Sequence, residues 1–320
     1  MRQRHLADSS TGREGSRLKG RLPSFCLLVI ILLAGLALSA GAQIQAARPL
    51  RIRSEAGLQP PVFIDLWNHV AFYDTNLERP RFASILGRFE GKVGLNVFHY
   101  PVQVYGVYYG AASQSPDYWD NYIFSGGGVR LIPFRDFQGT SWANEWIKGI
   151  KLYYESLAAS YLKNAISAEA LADTDGRYGL EIWYAWNQSE PDLRMPWGEL
   201  WLKWENRETN FGWEPFKTWV FYMQPKYGIH LGQGIEAYLK ADITMSGKEG
   251  ADYSFLNIAD YGVGLRFVPL RSIGQENDLF RTFKMFAEVL KVQYLKERPI
   301  NPNNSVESDV RFGVEFSYGR

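Results

Sequence analysis

Apolar and polar residues alternate along most of this chain. The stretch "DVRFGVEFSYGR" (309–320) has apolar residues at every second position, with Arg311, Gly313 and Glu315 between them. The stretches "GRFEGKVGLNV" and "GIEAYLKADIT" repeat the pattern. Side chains of a β-strand point alternately to opposite faces, whereas a helix places apolar residues three and four positions apart. The sequence therefore predicts strands with one apolar and one polar face.

Twelve such strands are predicted, separated by turn-rich stretches such as "DTDG" and "RPINPNNS". Their predicted ranges are 62–73, 84–98, 101–112, 119–133, 147–162, 177–188, 197–207, 217–227, 234–245, 253–268, 283–296 and 309–319. Bacterial single-chain membrane barrels have an even number of strands, and this count is consistent with that rule.

Two architectures accommodate strands of this kind. A soluble sandwich or barrel would bury the apolar faces in one core, whereas a membrane barrel turns them outward to lipid. Here the polar faces carry charges of both signs, and the strands are long enough to cross a bilayer. Tryptophans gather near strand ends, as at Trp197, Trp201, Trp204, Trp213 and Trp219. We therefore predict an all-β fold, a closed antiparallel transmembrane β-barrel of about twelve strands, and keep a secreted soluble protein as the alternative.

The N-terminal region has the features of a cleavable signal peptide. Basic residues precede the apolar run "FCLLVIILLAGLALSAGA", in which Ala40 and Ala42 form a small-x-small cleavage pattern. The predicted divisions are a signal helix over 1–42, a short periplasmic segment over 43–60 and a barrel over 61–320. A permanent membrane anchor is the alternative for the apolar run. Export followed by barrel insertion predicts the outer membrane of a Gram-negative bacterium, with a monomeric barrel in contact with lipid and lipopolysaccharide.

Charge and cysteine content exclude several functions. The chain has 35 basic and 34 acidic residues, and loss of 1–42 would leave 29 and 32. A net charge of about −3 supplies no basic field for nucleic acid, so no nucleic-acid partner is expected. The single cysteine, Cys26, lies in the predicted signal, which leaves no cysteine for a disulfide or a metal site.

The polar strand faces supply the candidate site. Charged and aromatic residues on these faces are predicted to line the barrel lumen: Arg88, Glu90, Lys92, Arg130, Lys151, Tyr153, Glu155, Glu181, Trp183, Glu199, Trp201, Lys203, Glu236, Tyr238, Lys240, Asp242, Asp260, Arg266, Glu288, Arg311 and Glu315. Since acidic and basic residues are interleaved, neutralised interior pairs are the preferred interpretation over paired catalytic carboxylates.

The sequence offers little for catalysis. Only His69, His99 and His230 follow the predicted signal, and their spacing fits no zinc site. A barrel hydrolase would need a serine and a histidine within hydrogen-bond reach on the lipid-facing side, and His69 could face Ser84 or Asn68 across a hairpin. The "HxSNG" pattern of outer-membrane phospholipases is absent. We predict no enzyme, no cofactor and no metal, with an outer-membrane enzyme acting on lipid or glycan as an alternative.

Two segments of the chain repeat one pattern. "GVRLIPFR" (128–135) and "GLRFVPLR" (264–271) share the order Gly, apolar, Arg, two apolar residues, Pro, apolar, Arg. Each is followed by a lysine and a glutamate four residues apart, in "KLYYESL" and "KMFAEVL". The proline would end ladder hydrogen bonding at a strand end, and the first arginine could neutralise an interior acid. Duplication and convergence both explain this repeat.

The stretches "YWDNYIFSGGGVRLIPF" and "RLIPFRDFQGTSWANEWIKGIKLYYESLAASYLKN" resemble the C-terminal barrel region of the bacteriophage N4 adsorption protein A type, which is related to outer-membrane components of exopolysaccharide secretion. The resemblance covers about residues 84–320 and carries over no functional residue. It implies a passive channel or export component for exopolysaccharide or another surface glycan, working with periplasmic secretion components. A structural barrel with a closed lumen is the remaining alternative.

Overall fold

The computed structural model describes residues 62–77, 82–97, 100–114, 121–137, 146–162, 172–186, 196–211, 215–269, 282–299 and 306–319. The predicted signal peptide and periplasmic segment lie outside these residues. Among the described segments, no helix combines the length and the apolar character needed to cross a bilayer.

The described strands form one closed antiparallel barrel. In chain order they are β1 (Val62–Leu77), β2 (Phe82–Asn96), β3 (Val102–Ser113), β4 (Tyr122–Leu131), β5 (Ile150–Tyr161), β6 (Ala172–Trp186), β7 (Trp197–Phe211), β8 (Pro215–Gly232), β9 (Ile235–Ser246), β10 (Ile258–Phe267), β11 (Lys284–Tyr294) and β12 (Val306–Tyr318). Each strand pairs with its neighbours in sequence, and β1 closes the barrel by pairing with β12. The predicted twelve-stranded barrel is therefore confirmed.

Three strand boundaries differ clearly from the predicted ones. β6 begins at Ala172 rather than at 177, and β8 continues to Gly232. The strand predicted from 253 begins only at Ile258, because a short 3₁₀ helix, Ala251–Leu256, precedes it.

The side chain of Asn257 explains this helical segment. Its amide nitrogen donates to the carbonyl oxygens of Lys248 at 3.1 Å and Tyr253 at 3.2 Å, and its Oδ1 accepts from the backbone nitrogen of Ser246 at 3.0 Å. Bonds from an asparagine side chain to nearby backbone offer the chain an alternative to the strand ladder. Alternation alone does not reveal this competition.

The two faces of the barrel differ in chemistry. Outward-pointing apolar side chains are widely exposed, including Val93 (53%), Leu239 (60%) and Val263 (57%). Inward-pointing carboxylates such as Glu155 and Glu236 have no exposed surface. A soluble protein buries its apolar side chains and exposes its charges, so this arrangement is reversed. It is the arrangement of a barrel that crosses a membrane, where lipid contacts the outer face and all backbone groups pair between strands.

Candidate functional site in the barrel interior

All of the sequence-predicted lumen residues lie on the inward face. The strand register alternates them with outward apolar residues, and their side chains meet across the barrel. Lys92 on β2 lies 3.2 Å from Glu155 on β5, and Glu199 on β7 lies 2.9 Å from Lys284 on β11. These contacts between strands that are not neighbours are possible only inside a closed barrel. Contact between the predicted lumen residues and a transported solute stays a prediction.

One group of inward side chains, the Glu155 network, consists of Lys92, Tyr105, Tyr109 and Glu155. Tyr105 donates its hydroxyl proton to the Glu155 carboxylate at 2.9 Å, and Tyr109 donates at 2.7 Å. The Lys92 ammonium completes the shell and also contacts Glu90 at 3.2 Å. A fully buried carboxylate is stable when its lone pairs are satisfied in this way.

A second buried carboxylate, that of Glu205, extends this network around the wall. It lies 2.8 Å from Lys203 and accepts a hydrogen bond from the Tyr153 hydroxyl at 2.7 Å. Arg207 also pairs with it. Glu205 was missed at the sequence level, although its place two residues after Lys203 on the predicted strand puts it on the same face.

Another group, the Glu199 network on β7, β8, β10 and β11, consists of Glu199, Lys226, Arg266 and Lys284. The carboxylate of Glu199 lies 2.6 Å from Arg266, 2.9 Å from Lys284 and 3.2 Å from Lys226. Arg266 also pairs with Glu236, which in turn lies 2.8 Å from His230 Nδ1. Three cations around one carboxylate require further acids nearby, and Glu236 supplies one.

The Arg311 network, on β9, β10 and β12, consists of Asp242, Asp260, Asp309 and Arg311. The guanidinium contacts Asp309 at 2.5 Å, Asp260 at 2.6 Å and Asp242 at 2.8 Å. Arginine offers five donors in a planar fork, which suits several carboxylates at once. Asp309 was missed because the strand was predicted to begin there.

Two residues of β9, Tyr238 and Lys240, join the Arg311 network to Glu288 on β11. Lys240 lies 2.9 Å from Glu288 and 3.1 Å from Asp242. Tyr238 donates its hydroxyl to Glu288 at 2.7 Å. The predicted interior neutralisation thus occurs as continuous networks rather than as isolated pairs.

Part of the inward surface remains accessible between these buried networks. Arg88 is exposed, and a group of largely uncharged side chains is half-buried: Trp67, Glu90, Trp183, Trp201, Tyr222 and Gln224. The rings of Trp201 and Tyr222 are stacked with centroids 6.0 Å apart. The Trp201 indole nitrogen donates to Glu181 at 3.0 Å, which fixes the orientation of the ring. The accessible inner surface therefore combines flat aromatic faces with hydrogen-bonding groups.

The two histidines that the structure describes, His69 and His230, are buried on the inward face rather than exposed to lipid. His69 points inward, with Nε2 3.1 Å from the Tyr73 hydroxyl and Nδ1 3.6 Å from Glu315. Across the β1–β2 hairpin it faces Arg88, not Ser84, so the pairing considered from the sequence was wrong in register. His99 lies outside the described residues. Within the described strands and turns, no group of three or more potential ligands is arranged to hold a metal ion.

Comparisons with known proteins add fold similarity only. No family model matches the chain, and no curated protein matches it. Among solved structures, it is similar to the NanC porin, with 8% identity and a TM-score of 0.38 over 79% of this chain and 98% of that one. It is similar to the β domain of the Bordetella autotransporter BrkA, with 11% identity and a TM-score of 0.38 over 82% and 100%. An outer membrane channel from Pseudomonas putida F1 has 7% identity and a TM-score of 0.38 over 85% and 100%.

Proposed function

We propose that this protein is a passive channel in the outer membrane of a Gram-negative bacterium, and that saccharides or a surface glycan chain are its solutes. The observation that carries this proposal is the accessible inner surface, on which Trp67, Trp201 and Tyr222 are half-buried and Arg88 is exposed. Flat ring faces stack on the C–H faces of sugars, and charged and amide groups bind their hydroxyls.

The charge arrangement of the lumen supports a weakly charged solute. Rings of one sign of charge select ions in membrane pores. Here cations and anions are paired with one another among the first six strands and among the last six, as in the Glu155 and Glu199 networks. Paired charges leave little net field to attract or exclude ions, so permeation would depend on size and on contact with the wall. Periplasmic secretion components remain proposed partners of such a channel.

Conductance of the purified protein in planar bilayers tests the proposal. We expect single-channel steps, and swelling of proteoliposomes in isotonic sugar solution that becomes slower as the sugar becomes larger. Absence of both steps and swelling would exclude a channel. It would favour a structural barrel with a closed lumen, for which the complete burial of Glu155, Glu205 and Glu236 is the supporting observation.

A further inference from the structure

The first six strands and the last six strands of the barrel match one another. β3 and β9 each contain 12 residues, and β4 and β10 each contain 10. In a closed ring of twelve strands, a shift of six strands is a half-turn about the barrel axis. The correspondence extends to individual side-chain contacts, well beyond the two arginine segments that the sequence revealed.

The inward arginines of β4 and β10 make equivalent contacts. Arg130 lies 2.7 Å from Asp65 on β1, and Arg266 lies 2.6 Å from Glu199 on β7. Each guanidinium also lies over an aromatic ring two residues before that acid, 4.5 Å from the ring centre of Phe63 and 3.6 Å from that of Trp197.

The buried glutamates of β5 and β11 are equivalent as well. Glu155 accepts from the Tyr105 hydroxyl at 2.9 Å, and Glu288 accepts from the Tyr238 hydroxyl at 2.7 Å. In both halves the tyrosine ring crosses a strand at a glycine, where a Cβ atom would collide with the ring. These glycines are Gly128 and Gly264.

Strand ends repeat the same side-chain-to-backbone bonds. Asn121 Oδ1 accepts from the backbone nitrogen of Ser113 at 2.9 Å, as Asn257 Oδ1 does from Ser246 at 3.0 Å. The hydroxyl of Tyr161 on β5 accepts from the first backbone nitrogen of β6 at 2.9 Å, and its counterpart on β11 does so from β12 at 2.8 Å. Convergence on generic strand ends does not account for matched contacts at so many positions.

We infer that the barrel consists of two copies of one six-stranded unit, and that each copy presents one equivalent sugar-binding tryptophan to the lumen, Trp67 and Trp201. Each tryptophan lies two residues after the acid that binds the inward arginine of its wall, Asp65 or Glu199. This inference rests on the proposed function and names the wall positions that would contact the solute.

Both tryptophans are more accessible than the inward residues on either side of them. Along β1, Asp65 and His69 are 8% and 7% exposed, and Trp67 between them is half-buried. Trp201 is likewise half-buried between two buried charged residues of β7. Asp65, His69 and Glu199 are paired with residues of other strands, and Lys203 is paired with Glu205 on β7 itself. The indole rings keep accessible surface beside a hydrogen-bonding residue on the next strand, Glu90 or Gln224.

Binding of hexasaccharides to the detergent-solubilised protein tests this inference independently of conductance. The probes are maltohexaose, cellohexaose and chitohexaose, and the readout is quenching or enhancement of tryptophan fluorescence, checked by calorimetry. We expect at least one probe to bind. Trp67→Ala and Trp201→Ala should each weaken its binding by a similar factor, about threefold to tenfold, and the double variant should weaken it further. Phenylalanine at either position should restore most of the affinity.

The control is Trp204→Ala, because Trp204 is 42% exposed on the outward face of the same strand. Heat-modifiable gel mobility would verify that every variant is folded. The inference would be overturned if none of the probes bound, if the double variant bound as tightly as the unaltered protein, or if only one of the two substitutions weakened binding. Bilayer steps without sugar binding would overturn it while leaving a channel intact, whereas sugar binding without steps would overturn only the channel.

Discussion

Neutralising Glu155 should weaken the barrel measurably, because this carboxylate is completely buried and has three partners. In Glu155→Gln the shape and one acceptor oxygen remain, while the charge-assisted bonds from Tyr105, Tyr109 and Lys92 are lost or weakened. Hydrogen bonds to a charged group contribute roughly 1.5–3 kcal/mol each relative to their loss. Removing one partner of a buried ion pair costs about 3–5 kcal/mol when the other charge is left alone.

Lys92 is not left alone in this variant, which sets the expected magnitude. Its ammonium still lies 3.2 Å from Glu90 and 3.9 Å from Glu181. We therefore expect Glu155→Gln to lower the free energy of unfolding by about 2–3 kcal/mol, below the full cost of an isolated buried charge. Adding Lys92→Met should make the combined loss smaller than the sum of the two single losses, by about 1–2 kcal/mol.

Urea-dependent unfolding in phospholipid vesicles, followed by tryptophan fluorescence, measures these differences. The matched control is Glu208→Gln, since Glu208 pairs with Lys217 at 3.2 Å while both side chains are more than half exposed. Exposed pairs contribute about 0–1 kcal/mol. If Glu155→Gln costs no more than Glu208→Gln, the buried network does not stabilise the barrel and the reasoning is refuted.

Three further predictions concern the two faces and the lumen. Gly179→Val should lower the urea midpoint and cost about 1–3 kcal/mol, because a Cβ atom there would lie 2.0 Å from the backbone oxygen of Trp204; an unchanged midpoint would contradict this close approach. Val263→Arg should cost about 2–4 kcal/mol in the same assay if its position meets the hydrocarbon core, and a neutral result would place it outside lipid. Arg88→Glu should shift the reversal potential under a salt gradient toward cation selectivity, since Arg88 is exposed on the inner face; an unaltered potential would show that ions do not pass it.

The strands and their faces could be predicted from the sequence because both depend on local alternation. Val310 and Arg311 fall on opposite faces whatever strands flank them, and the inward placement of Arg311 then follows from the choice of a membrane barrel. The start of β6 could not be predicted in the same way. Its first residues, "ADTDG", have the composition of a turn, yet the ladder extends through them and places Asp175 beside Arg177 at 2.5 Å.

Contacts between distant strands required the closed barrel. Lys92 and Glu181 lie on strands four apart, and their approach to 3.9 Å depends on barrel diameter, strand tilt and stagger. None of these is encoded in a single strand pattern. The sequence could therefore nominate lumen residues but could not assign their partners. Glu205 shows the same limit, since its inward position was predictable and its role as a shared acceptor for Lys203, Tyr153 and Arg207 was not.

The two halves of the barrel have diverged in a way that reveals what their interior requires. Arg177 and Arg311 occupy matched positions, each bonded to the aspartate two residues before it. In the second half, Arg311 also contacts two more carboxylates, those of Asp242 and Asp260. The matching positions in the first half are aromatic. The Arg177 guanidinium lies 4.9 Å and 5.4 Å from the ring centres of Tyr109 and Phe124.

β3 and β4 carry aromatic residues where β9 and β10 carry carboxylates, and another strand supplies the missing negative charge. Glu205 on β7 interacts electrostatically with Arg177, and the position that matches Glu205 on β1 is the small apolar residue Ala71. Each arginine therefore remains neutralised although its partners come from different strands. The neutralisation of the inward arginines is thus retained although the residues that neutralise them differ. This is expected if paired charges fix the shape of the lumen. At this matched pair of positions the interior therefore presents two aromatic rings in one half of the barrel and two carboxylates in the other.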